Sequence, residues 1–285
     1  MRDHLKLHLV VLAWGFTAIL GKLINLPAAE VVVWRTFFAT LGLWGLAALL
    51  RVSVKVDWRI AVQLLATGFL IGGHWLLFFL AGKVSNATIS VAGLPTTIVW
   101  CCLLERVLLP GKRLRWFEIG MGILMVGAVW LILRFEVRYS LGFILSLLSA
   151  LVGSLFAVLN AQFAQRHHFS VISFYQMGGG CIASLCALPF FEGVKWPAWS
   201  DLGWLLVLAL ICTVYAYTAY VELLRRLSVF TINLVYNLEP LYGIVLAALI
   251  LREHHDLSLH FYAGTSVILL SVMAYPFIQR REKAV

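Results

Sequence analysis

Ten apolar stretches take up almost all of this chain, and its Lys and Arg residues gather in every second gap between them. The stretches fall at 7–25, 29–50, 59–81, 86–109, 115–133, 140–165, 171–191, 201–222, 229–251 and 259–278. At about 1.5 Å per helical residue, each crosses a hydrocarbon core of about 30 Å. Lipid offers no partner to an exposed backbone amide, so all ten are predicted to be helices. The alternating segments of about ten residues that mark a membrane barrel are absent. Composition agrees, since 62% of residues are hydrophobic and 12% charged, against about 25% charged in a soluble domain. The short gaps leave room for a helical bundle and what it encloses. The net charge of +9 sits at span ends rather than on one face, which is the pattern of membrane topology and not of nucleic-acid binding.

The basic residues orient the bundle. Lys22, Lys83, Arg134, Arg138, Lys195 and Arg252 fall on one side and Arg35 lies inside a span. The remaining fifteen of the 22 fall on the side of the two termini. Positive loops stay inside, so both termini are expected in the cytoplasm and the protein in the cytoplasmic (inner) membrane. The first span lacks a small-residue cleavage site and closes on Lys22, so it is read as a helix and not a cleaved signal. The five cysteines lie within spans without metal-ligand spacing, and they are read as apolar packers. Cys101 and Cys102, being adjacent on a helix, are expected to face different directions.

The segment from Arg134 to Tyr139 divides the chain into two five-span halves, 1–135 and 136–285. Ser85, Pro95 and Gly120 recur as Ser228, Pro240 and Gly264, with total separations of 35 and 36 residues. This register sets His74 against Tyr217 and Lys83 against Arg226. A rival register, Leu104-Glu105 on Leu238-Glu239, stays open. Because five is odd, the second copy enters the membrane from the opposite side. Inverted repeats of that kind suit alternating access, because the halves can exchange conformations.

The first span carries Trp14-Gly15 and Lys22, and the second Pro27, Glu30, Trp34, Arg35 and Ala39. The third-to-fourth turn reads Ala81-Gly82-Lys83-Val84-Ser85-Asn86-Ala87. The ninth span runs from Ser228 to Glu239-Pro240, with Glu253 at its far end. In this combination the whole chain resembles the EamA-type members of the drug/metabolite transporter superfamily. The resemblance implies an all-α membrane protein of ten helices in two inverted five-helix repeats. It implies a cavity lined by spans one, three, four, six, eight and nine, with five and ten peripheral. It also implies transport of small metabolites, often export of amino acids. Two departures stand out: the interval from Pro95 to Glu105 is shorter than in the family, and Arg106 replaces a Pro or small residue. The shape of the fourth helix is therefore not carried over.

Ionisable groups inside a span cost several kcal/mol and ask for a reason. Glu239, near mid-depth, precedes Pro240, which cannot donate to the carbonyl one turn back and is expected to kink the helix. Glu239 is the first candidate for proton coupling, with a protonated structural clamp as the alternative. Asn233 and Asn237 share one face of that helix, and Tyr236 and Glu239 a neighbouring one. With Trp14, His74 and Tyr217 these form the candidate substrate-binding set; Pro95 and Pro240 are candidate hinges. Tyr217 and Tyr220 share a face, with Thr213 one turn away. His74 reads equally as a titrating gate or a packing residue. Lys22, Glu30 and Arg35 are expected near the outer end, the two cations paired with Glu30 or a lipid phosphate. Asn160 and Gln162 approach the cytoplasm, and Glu105, Arg106 and Glu118 are expected in an ion-pair rim there. Gly68, Gly72 and Gly178-Gly179-Gly180 are read as close-packing sites.

No nucleotide loop, nucleophile elbow or metalloprotease motif is present, so neither an enzyme nor an ATP-driven pump is expected. No cofactor or metal is expected. The expected partners are a small-molecule substrate and membrane lipid, with a homodimer left open and nucleic acid excluded. The leading reading is a secondary transporter exporting small metabolites such as amino acids. The alternatives are an importer or exchanger of a nutrient, nucleoside or sugar-linked compound and, last, a non-transport membrane protein.

Overall fold

The computed structural model describes residues 2–108, 115–164, 166–190, 194–224, 226–227 and 235–282, and all regular structure among them is helical. Nine helices there are long and apolar enough to cross a membrane: Arg2–Leu23, Ala28–Leu49, Trp58–Val84, Ala87–Leu108, Trp116–Phe135, Val137–Asn160, Phe169–Ala187, Trp199–Tyr220 and Leu259–Ile278. The shorter apolar helix Glu239–Leu251 fills the second half of the remaining stretch. These are spans one to ten in chain order, Glu239–Leu251 being part of span nine. The chain is an all-helical membrane protein. Asn233 and the side chain of Gln162 lie outside the described residues.

The surface is what lipid requires. Ile123, Val126, Leu249 and Leu270 stand out from the bundle, and span five buries only 28% of its apolar window. Trp58 and Trp116 stand exposed at the end that carries the termini, and Trp196 and Trp199 at the opposite, distal end. Rings at both interfaces anchor a bundle in the headgroup layers. Inside, one apolar core is built mainly from spans one, two, three, seven and eight, with Ala87 and Val91 of span four, Phe156 of span six and Ala247 of span nine, and a second joins four, five, six and ten.

The glycines of spans three and seven meet face to face. A Cβ on Gly68 would lie 2.5 Å from the Gln176 carbonyl oxygen, and one on Gly179 would lie 2.2 Å from that of Leu65. Gly72 and Gly180 repeat the contact one turn on, where a Cβ on Gly72 would sit 2.9 Å from the Gly180 Cα. Backbone is the obstacle, so no rotamer relieves it. Gly179→Val is expected to cost at least about 3 kcal/mol, the upper part of the overpacking range, read as a fall in the thermal unfolding midpoint in detergent. Gly120→Ala is the control, because its added Cβ meets nothing within 4 Å. Span ten packs on span five at Gly264, where an added Cβ would fall 2.7 Å from the Ile132 side chain.

Both proline-bearing spans are interrupted. Span four runs as a helix over Ala87–Ala92, tightens into a 3-10 turn at Leu94–Thr96 around Pro95, and resumes over Thr97–Leu108. Ser146 of span six repairs the break, accepting from Gly93 N at 3.1 Å and donating to the Ser90 carbonyl at 2.7 Å. Span nine turns at Asn237-Leu238 and starts a new helix at Glu239, with Pro240 in its first turn.

The distal end is laced by side chains bonded to backbone. Lys22 Nζ donates to the carbonyls of Gly82 and Ser85 at the end of span three, and Lys83 Nζ donates to Ile24 at the end of span one. Each lysine thus supplies donors to the terminal carbonyls of the other's helix. Asp201 accepts from Asn25 N, Glu30 from Lys195 N and Glu136 from Ser258 N. The expected pairing of Lys22 and Arg35 with Glu30 is therefore corrected: Lys22 binds carbonyls, Glu30 binds a backbone amide, and Arg35 lies deeper.

Candidate functional site

Trp14 is the hub of an aromatic cluster. Its ring meets Tyr217, Tyr220 and Tyr236 with centroids 6.1, 5.4 and 5.7 Å away, joining spans one, eight and nine. The neighbouring Gly15 permits this approach, since a Cβ there would lie 3.0 Å from both the Glu239 carbonyl oxygen and Gly243 N. Glu239 is the first residue of the resumed half-helix. Its carboxylate thus sits at a helix N-terminus, where unpaired N–H groups and the macrodipole favour negative charge. Among the described residues the carboxylate has no hydrogen-bond partner.

Arg35 supplies the opposite charge. Its guanidinium lies 3.7 Å from the centroid of the Trp75 ring, and Nε donates to Thr213 Oγ1 at 3.0 Å. The residue is only 3% exposed. It shares an electrostatic neighbourhood with Tyr217, Cys212 and Glu239, but Arg35 and Glu239 form no ion pair. Thr213 belongs to a π-helical stretch, Val207–Tyr215, and donates its own hydroxyl five residues back to Leu208. Such wide turns recur at functional sites.

Of the other expected site residues, Tyr236 and Tyr217 join the Trp14 cluster. His74 is tied by Nδ1 to the Ser149 carbonyl at 2.8 Å and to Ser149 Oγ at 2.9 Å, and it lies within electrostatic range of Arg35. It thus holds span three to span six at the margin of the site. Asn237 turns away from the cluster and donates to Val272 of span ten. Sequence reasoning took Arg35 for an outer anchor and did not single out Trp75. The available signal was the cost of an arginine well inside a span.

Toward the terminal end, Gln176 donates to both Thr67 Oγ1 and Asn160 Oδ1, a buried polar cluster between spans three, six and seven. Glu118 accepts from Arg115 N and from the Tyr275 hydroxyl, bonds within and beside span five. Cys102 faces Tyr275 of span ten while Cys101 faces Ser154 of span six, so the two do point apart. A cleft of about 350 Å³ opens at this end, with Lys6, Leu46, Leu50, Phe169, Tyr215, Thr218 and Glu222 in its walls. The hydrogen bond from Lys6, and then the charges of Lys6 and Arg226, hold the Glu222 carboxyl below the usual carboxylate range.

The comparisons with known proteins agree with this architecture. No curated protein matches the sequence. A solved crystal structure, described only as that of a protein, aligns over 99% of this chain and 99% of its own, with a TM-score of 0.65 and 19% identity. That likeness concerns the fold alone. The model of the EamA-like transporter family matches twice, over residues 4–134 and 140–275. Two tandem matches of odd helix number are what inverted repeats require. The chain belongs to the EamA-like transporter family, a family of membrane transporters and not of enzymes.

Proposed function

We propose that this protein is a secondary transporter that exports small, amphipathic metabolites such as amino acids by alternating access. The observation that carries the reading is the meeting of Trp14, Tyr217, Tyr220 and Tyr236 beside an unpaired carboxylate, Glu239, at a helix break. An aromatic-walled site with few polar groups suits a ligand that is part apolar and part charged. The distal end is tied shut by the Lys22, Lys83, Asp201 and Glu30 bonds. With both termini in the cytoplasm of an inner-membrane protein, this conformation faces inward, ready to load an export substrate. The units 1–135 and 136–285 are the halves that rock, with the interruptions at Pro95 and Pro240 as hinges. Trp14, Tyr217, Tyr236 and Glu239 hold substrate, and His74 and Asn237 brace their helices. Glu239 carries the coupled proton.

The test is purified protein in liposomes, loaded with radiolabelled L-amino acids and related metabolites, with and without a pH gradient. Efflux of at least one amino acid, accelerated by a gradient with more protons on the receiving side, is the expected result. Solute movement indistinguishable from empty liposomes across the panel would sink the reading.

A further inference from the structure

The geometry points to Arg35 as the group that reads a carboxylate on the substrate, so that the transported compounds are small organic acids or zwitterions and not neutral or purely cationic solutes. The inference rests on the transporter reading above. Arginine stays charged in proteins, and its burial within a span needs compensation. Here compensation is partial. The π face of Trp75 covers one side of the guanidinium, and Thr213 Oγ1 takes only Nε–H. Among the described residues the two terminal nitrogens have no hydrogen-bond partner, and they are not among the sealed unpaired atoms. Four N–H bonds are therefore left without a protein partner among the described residues, on a residue 3% exposed.

The two contacts also set orientation. With one face stacked and Nε held, the fork formed by the terminal nitrogens is fixed, and it matches the two oxygens of a carboxylate. A phosphate dianion fits less well, because Glu239 shares the electrostatic neighbourhood and would repel the second charge. The same carboxylate is placed to receive an ammonium group, so a zwitterion satisfies both ends. The Trp14 cluster is left for the apolar part of the molecule.

The experiment uses full-length protein in liposomes and measures inhibition of exchange by four related probes: L-phenylalanine, L-phenylalaninamide, 3-phenylpropionate and phenethylamine. Wild type should prefer the two carboxylates over the amide and the amine by at least about tenfold, the discrimination expected when a charged bidentate contact is lost. Arg35→Gln should bring that ratio to about one by weakening inhibition by the two carboxylates, and Arg35→Lys should fall between. Because Arg35→Gln removes a buried packing group, Thr213→Val serves as the second variant. It frees Nε without removing charge and should lower the ratio about threefold with the amide unaffected. A wild type that treats acid and amide alike overturns the inference, as does equal loss for both in folded Arg35→Gln and Thr213→Val. If wild type moves none of the probes and no other solute, the transporter reading falls first. If it moves solutes without regard to a carboxylate, only the role of Arg35 falls.

Discussion

Glu239→Gln is expected to lower gradient-driven transport by at least about tenfold more than it lowers substrate exchange without a gradient, which falls only through the lost contact to substrate. Glutamine keeps the shape and polarity of glutamate but neither gains nor loses a proton. The local structure makes this a test of coupling. Glu239 opens a half-helix whose first amides lack intrahelical partners, and Pro240 contributes no N–H to them. Trp14 and three tyrosines cluster beside it, and Arg35 shares its electrostatic neighbourhood. A carboxyl so placed is the group that can take up and release a proton as the site opens to one side or the other. The measurement is radiolabel efflux with an imposed pH gradient, beside counterflow at equal pH. A variant with the wild-type response to the gradient would return Glu239 to the clamp reading, in which its loss lowers only the unfolding temperature.

Much of the fold was legible because hydropathy is a one-dimensional signal. The span ends move by only a few residues between the apolar stretches and the helices, and the two prolines fall at interruptions of their helices. The tyrosine face was legible too, since Tyr217 and Tyr220 are three apart on one helix and both reach Trp14. Arg35 was not. Counting along span two gives its depth but not its neighbours, which come from Thr213, 178 residues away, and from Trp75 on another helix. The distal lacing was equally hidden, because Lys22 and Lys83 bind carbonyl oxygens, and every residue has one. The searched-for partner of a lysine is an acid, so the pairing with Glu30 was the natural expectation and the wrong one. Nor does any residue pattern mark the π-helical stretch that carries Thr213.

Glu253→Ala is expected to have the largest effect on the distal seal. Glu253 follows Arg252, whose left-handed backbone (φ 57°) turns the chain back after span nine. Its carboxylate accepts from Ala87 N at 2.9 Å, Thr88 N at 2.8 Å and Thr88 Oγ1 at 2.8 Å, and the residue is 4% exposed. Asn86 Oδ1 takes the next amide, Ile89 N, so the opening amides of span four depend on these two side chains. Alanine would leave two amides and a hydroxyl buried without partners, at a cost of about 3 kcal/mol or more. The bond also joins the second family-matched unit to the first across the distal end. Breaking it should therefore favour the conformation open on that side, and about 3 kcal/mol corresponds to about a hundredfold change in population. Ser90→Cys, in a background with the five native cysteines replaced, reports the opening. It is buried beside Gly82 in the closed form and should react at least about tenfold faster with an impermeant maleimide once Glu253 is removed. If labelling stays slow while the unfolding temperature drops, the cap stabilises span four alone and takes no part in gating.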